Sequence, residues 1–314
     1  NVADAGGQDT VNFTGGTTTI SGIEQTTNVG VVNFATGSTV NLTGAHLTGA
    51  DRSVVDLGED MDRMDVIGVT LNASDGAGGF WNLDFGNSDD TATIGGGSVV
   101  NANIDMGTGR DTLTINDATI NGQISGSGTA GDVFNINPGA VLNAGIGSDE
   151  LLLGDFGDVF NVSGGTINPN MLDADTAGDP FRNSLFAAGG TDEVGLFGGK
   201  INGLVNLGGG SDVLVIDAGG DEFASRPDMP GTSAGPDLTP GGTFDALDIS
   251  DAQFFGDAGT DDVFVFDLPG TSSQDLVFVD FEDAYFYGQT FSFDNTPDAS
   301  GRQWNSILDV NLFS

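Results

Sequence analysis

The residues best placed to do chemistry are aspartates that close a recurring Gly-x-Gly-x-Asp turn. The opening example is "GTGRDTLTI", ending its turn at Asp111, and the same turn gives "GNSDDTATI" at Asp90, "GTAGDVFNI" at Asp132 and "GIGSDELLL" at Asp149. Further copies are "FGDVFNV" at Asp158, "GGTDEVGLF" at Asp192, "GGGSDVLVI" at Asp212 and "AGTDDVFVF" at Asp261, with "AGGQDTVNF" at Asp9 near the start. Asp90 to Asp111 and Asp111 to Asp132 are each 21 residues, Asp192 to Asp212 is 20, and Asp132 to Asp149 is 17. If such units stack, their carboxylates lie about 5 Å apart and repel one another unless cations, backbone N–H groups or solvent intervene. Calcium, a hard ion that takes six to eight oxygens, would bridge them together with carbonyls of the Gly corners. The alternative is that each Asp accepts the N–H groups of its own turn. The cation reading makes Asp90, Asp111, Asp132, Asp149, Asp158, Asp192 and Asp212 a calcium corner.

A second polar set keeps step with the first. Asn101, Asn121, Asn143, Asn168 and Asn202 sit 10 or 11 residues beyond Asp90, Asp111, Asp132, Asp158 and Asp192. Stacked Asn amides hydrogen-bond along a repeat axis as a ladder, a structural role.

Catalytic constellations are scarce. His46 is the one histidine, so any Ser/His/Asp arrangement would have to use it, on what reads as a strand. The acid pairs Asp89/Asp90, Glu59/Asp60 and Asp261/Asp262 suit sugar chemistry in principle, but 46 acidic residues supply such pairs by chance. The cations that would steady an acidic sugar (Arg52, Arg63, Arg110, Arg182, Arg226, Arg302 and Lys200) form no cluster. The chain reads as non-catalytic.

The elements that carry these residues follow from the repeat. Each unit runs from turn to a short alternating strand, then a Gly- or Asn-containing corner and a second strand. Period-2 alternation of Val, Ile, Leu and Thr marks half-buried strands, and Gly, Asn and Asp supply the positive φ of sharp corners. No stretch shows capped 3.6-residue periodicity. One unit cannot bury its apolar face, whereas coils stacked on one another can. The expected fold is all-β: a single parallel β-helix, or β-solenoid, over residues 1–314, with about 20–25 residues per coil and the right-handed sense of parallel crossovers. Leu172–Ala187 and Ala218–Thr243 break the period and are expected as loop insertions, the second holding four of the nine prolines. Residues 244–314 form aromatic-rich C-terminal coils, Phe254, Phe255, Phe264, Phe266 and Phe286 among them.

Composition narrows the setting. With 7 basic residues against 46 acidic ones, a net charge of -39 repels phosphate backbones and anionic membranes, which excludes nucleic-acid binding. Charge of that density needs screening by salt or bound cations. The 22 Phe residues and abundant aliphatics supply a core, so the charge does not imply disorder. The absence of cysteine excludes disulfides and thiolate metal sites and suits a protein secreted through a bacterial envelope. The first residues, "NVADAGG", carry no Met and no basic segment, so any signal peptide is expected to have been removed or to lie far upstream. No apolar run approaches the ~18 residues of a membrane span, so direct membrane insertion is not expected.

The segments "LGGGSDVLVIDAGG", "DMGTGRDTLTINDATINGQI" and "GTDDVFVF…FEDAYFYGQTFSF" resemble the passenger regions of bacterial autotransporters and related surface β-helix proteins, over about Asp4 to Phe293. The resemblance implies export and display on the bacterial cell surface. It does not select an activity, since such passengers include adhesins, proteases and esterases. The membrane β-barrel of that family has no counterpart in the 314 residues. The turns also resemble half of the Gly-Gly-x-Gly-x-Asp-x-U-x calcium repeat. Its nine-residue spacing occurs only at Asp149/Asp158 and Asp212/Asp221, which does not support a full calcium roll. The function expected is an extracellular adhesin or stalk whose partners are a host or neighbouring-cell surface or an extracellular polysaccharide. The alternative is a structural subunit that stacks end to end as a homopolymer in a fibre, surface layer or matrix.

Overall fold

The computed structural model describes residues 10–13, 17–23, 31–34, 39–44, 53–57, 61–73, 82–126, 130–144, 157–169, 183–217, 247–255, 261–266, 278–279, 283–287 and 309–313. His46, Glu59, Asp60 and Asp149 lie outside them, as do residues 218–246, which contain the Pro-rich stretch. The described residues are strands, turns and bends with no helix, and every strand pair is parallel. Among the described residues the parallel strands follow one another with no helix, the mark of a solenoid, so these residues form an all-β parallel coil stack.

The described residues form four sheets, the smallest joining Gly189–Gly190 to Gly209–Gly210. One holds twelve strands, from Thr10–Phe13 to Asp309–Phe313, and a second holds eleven, including Thr70–Ala73, Ser98–Asn101, Ala118–Ile120 and Lys200–Asn206. A third, shorter sheet pairs Ser53–Asp56, Asn82–Asp84, Asn103–Asp105 and Ile124–Ser125. Around one coil the chain visits the first sheet at Thr91–Gly95, the second at Ser98–Asn101 and the third at Asn103–Asp105 before returning to the first at Thr112–Ile115.

The alternating sequence explains the packing. In "TLTI", Leu113 and Ile115 are fully buried while Thr112 and Thr114 point outward. Register then places like on like: Ala92, Leu113, Phe134, Phe160, Val194, Leu214 and Val263 form one internal column. Ile94, Ile115, Ile136, Val162, Leu196 and Ile216 form the next. The second sheet contributes Leu71, Val100, Ile120, Leu142, Ile167 and Ile201. Phe134 and Phe160 stack with ring centroids 5.0 Å apart and planes 14° from parallel, a direct consequence of the 4.8 Å strand spacing. At Val159–Val162 and Val213–Asp217 all residues are buried, so both faces of the first sheet are covered there.

The corner between the first and second sheets recurs with a left-handed residue within one position of the same point of each coil: Gly68, Gly97, Asp117, Gly139, Gly165 and Gly199. Asp117, at φ 45°, is the non-glycine in this series, and Asp is one of the few residues that tolerate that region. At the corner before the Asp turn, Gly107 has φ +77°, and a Cβ there would lie 1.9 Å from the Gly86 carbonyl oxygen. Coils stack too closely at this point for any side chain.

The loop expected at Leu172–Ala187 gives way at its end to a strand. Asn183–Phe186 pairs with the Leu204–Asn206 end of Lys200–Asn206, and Leu185 and Ala187 are buried. "NSLF" is too short to show alternation by itself; its pairing partner confers the extended state.

Two outcomes follow. Phe160→Ala should lower unfolding free energy by about 3–5 kcal/mol, because the stacked column cannot collapse onto the space it leaves. Gly107→Ala should cost about 1–3 kcal/mol from backbone strain alone, before the clash with Gly86. Urea denaturation checks both; a midpoint unchanged in either variant would contradict the register described.

Candidate functional site

The Asp of each turn immediately precedes a strand of the first sheet and continues its alternation on the inward side. Asp90 is followed by exposed Thr91 and buried Ala92, Asp111 by half-buried Thr112 and buried Leu113. The motif aspartates therefore point toward the interior. Asp62, Asp90, Asp111, Asp132, Asp158, Asp192, Asp212 and Asp261 are all buried, none more than 4% exposed.

They form a single file joined through the backbone. The N–H of Asp62 donates to Oδ1 of Asp90 at 2.7 Å, Asp90 N–H to Asp111 at 2.7 Å, and Asp111 N–H to Asp132 at 2.9 Å. The file continues from Asp132 to Asp158 at 2.7 Å, Asp158 to Asp192 at 2.6 Å, Asp192 to Asp212 at 2.8 Å, and Asp212 to Asp261 at 3.1 Å. Each carboxyl from Asp90 to Asp261 thus accepts the amide of the preceding coil. The own-turn role belongs to other residues: Asp84, Asp105 and Asn206 accept the N–H groups of Gly86, Gly107 and Gly208, each two residues on.

The structure brings Asp90, Asp111, Asp132, Asp158, Asp192 and Asp212 into one row. It passes directly from Asp132 to Asp158, with Val133 opposite Val159; Asp149 lies outside the described residues. Asp62 heads the described row although "EDMDRMDVI" has no Gly-x-Gly; its signal is an Asp directly before an alternating strand. The pair Asp89/Asp90 diverges, with Asp90 buried and exposed Asp89 accepting the Arg110 N–H at 2.9 Å.

Burial dominates the electrostatics of the row. It pushes Asp90 up to about 8, Asp111 to about 6, Asp132 to about 7, Asp158 to about 9 and Asp192 to about 8, with the accepted N–H opposing in each case. Neighbouring carboxylates add to the rise: Asp111, Asp62 and Asp89 act on Asp90, and Asp192 and Asp132 on Asp158. Asp212 is raised by burial and held back by the bond from the Asp192 amide and by the neighbouring Asp261 side chain. Asp105 is raised by burial and by Asp84.

The residues fit a calcium ion poorly. One oxygen of each carboxyl from Asp90 to Asp261 is committed to a backbone N–H, and among the described residues no three acidic or histidine side chains gather as a metal would require.

The amide ladder occupies the outer side of the corner after the second sheet. Nδ2 of Asn101, Asn121, Asn143, Asn168 and Asn202 donates to Oδ1 of Asn72, Asn101, Asn121, Asn143 and Asn168 at 2.5, 2.6, 2.6, 3.0 and 2.8 Å. Asn72 extends the ladder beyond the expected set; "TLNA" carries the same Thr-x-Asn signature as "TINPN". Shorter ladders join Asn137 to Asn116, Asn161 to Asn135 and Asn103 to Asn82.

Comparison with protein-family models, with curated proteins and with solved structures finds no match.

Asn121 is bonded on both sides, so Asn121→Ala orphans the Asn101 acceptor and the Asn143 donor. It should lower stability by about 1–3 kcal/mol, read by denaturant unfolding. A loss no greater than that of an exposed Thr→Ala control would show that the ladder does not hold the coils.

Proposed function

We propose that this chain is a non-catalytic extracellular protein of the bacterial cell surface, a rigid right-handed β-solenoid of about 20–25 residues per coil that serves as a stalk or adhesin in the manner of an autotransporter passenger. The observation that carries this reading is the unbroken lengthwise order: a twelve-stranded parallel sheet whose inward file of Asp and outward file of Asn bond each coil to the next. Such order resists bending and presents whatever is spliced between coils at fixed distances along the stack. The expected insertion Ala218–Thr243 lies in the sequence between Val213–Asp217 and Asp248–Phe255 and is the segment that would carry contact residues to a cell surface or polysaccharide. The charge of -39 accords with a saline exterior and with the absence of nucleic-acid partners.

The test is antibody labelling of intact cells of the source organism, paired with electron microscopy of the purified chain. Labelling of intact cells and isolated straight rods are expected. Labelling only after lysis would overturn the surface assignment, and long filaments would replace the stalk with the end-to-end structural subunit.

A further inference from the structure

We propose that protons, not a bound cation, neutralise the inward Asp row: each carboxyl keeps one oxygen on the neighbouring coil's amide and carries a hydrogen on the other, so that the coil stack tightens as its medium acidifies. This goes beyond the surface reading and does not depend on it.

The geometry makes the case. A carboxyl placed on the core side of a strand has two oxygens to satisfy, and the coil spacing brings it one donor, the amide of the preceding coil. The second oxygens of Asp90, Asp111, Asp158, Asp192 and Asp212 are buried with no hydrogen-bond partner. An uncompensated buried carboxylate costs far more than a buried neutral hydroxyl, so a proton on that oxygen is the cheaper solution. The charges acting on the row offer no other relief. Asp90 faces Asp111, Asp62 and Asp89; Asp111 faces Asp89 and Asp105; Asp132 faces Asp111 and Asp105. Asp158 faces Asp192 and Asp132, Asp192 faces Asp212 and Asp261, and Asp212 is bonded to Asp261. All of them are carboxyls. Calcium would need several oxygens converging on one point, whereas a single file presents them one at a time, with half already bonded to amides.

The sign of the linkage is fixed. A carboxyl whose folded pKa lies above its unfolded value stabilises the fold fully below the unfolded value, near 3.8, and loses that contribution as pH rises through the folded values, from about 6 to about 9. Surface carboxylates also repel less in acid, but they titrate below this window and their repulsion is screened by salt, while the buried row is not.

The experiment is thermal melting of the full chain between pH 6 and pH 9, at high salt, in chelator and in millimolar calcium, with carbon-13 NMR of the Asp side-chain carboxyls over the same range. The melting temperature should rise as pH falls, equally with and without calcium, and a subset of Asp resonances should titrate within that window. Asp158→Asn keeps the acceptor for the Asp132 amide and cannot ionise. It should fold, melt no lower than the parent at the alkaline end, and show a smaller rise on acidification; Asp158→Ala should melt lower at every pH. Melting that is flat with pH, Asp carboxyls that all titrate in the ordinary acidic range, or an alkaline-end stability restored by calcium and lost in Asp158→Asn would each overturn the proposal.

Discussion

A buried amide at the end of each coil must find an acceptor, and in this fold the acceptor is the side chain of the Asp one coil further on. That requirement links the elements to each other. It fixes the turn, because only a close Gly corner lets Asp111 reach under the amide of Asp90. It fixes the register, because a slip of one residue would turn the Asp outward and Thr112 inward. It also fixes the electrostatics, because a carboxyl that serves this purpose must be buried.

The Asn ladder answers the same need on the outside of another corner, with a different consequence. An amide carries both donor and acceptor, so Asn121 can receive from Asn143 and give to Asn101 without any change of charge. A carboxylate carries only acceptors. The neutral ladder is therefore indifferent to pH, while the Asp row stores a conflict between hydrogen bonding and desolvation that a proton resolves. The two rows together give the stack one coupling that is constant and one that depends on the medium. For a molecule read as a stalk, this is a mechanical property with a chemical control.

Much of the architecture was legible from residues alone. Strand periodicity, the phase between Asp111 and Asn121 and the Gly corners all act within one or two coils, and each leaves a local pattern. What the pattern did not disclose was direction. "GTGRDTLTI" does not say whether the Asp111 carboxyl bonds its own turn or the preceding coil, because both are satisfied by an Asp before a strand; the coil stacking decides. Asp62 joins the row without a Gly-x-Gly turn, and pairing of Val133 with Val159 draws Asp158 under Asp132. The strand at Asn183–Phe186 exists through its pairing with Lys200–Asn206, a contact no local pattern encodes.

The in-register coil stack is the claim on which the rest stands, and a cysteine-free chain allows it to be tested cleanly. Thr112 lies opposite Val133, both outside the core columns, at a strand spacing of about 4.8 Å that falls within disulfide reach. The double variant T112C/V133C should form an intramolecular disulfide on mild oxidation, while T112C/N135C, offset by two residues along the strand, should not. Equal cross-linking of the two, or preference for the offset pair, would contradict the register and with it the Asp row.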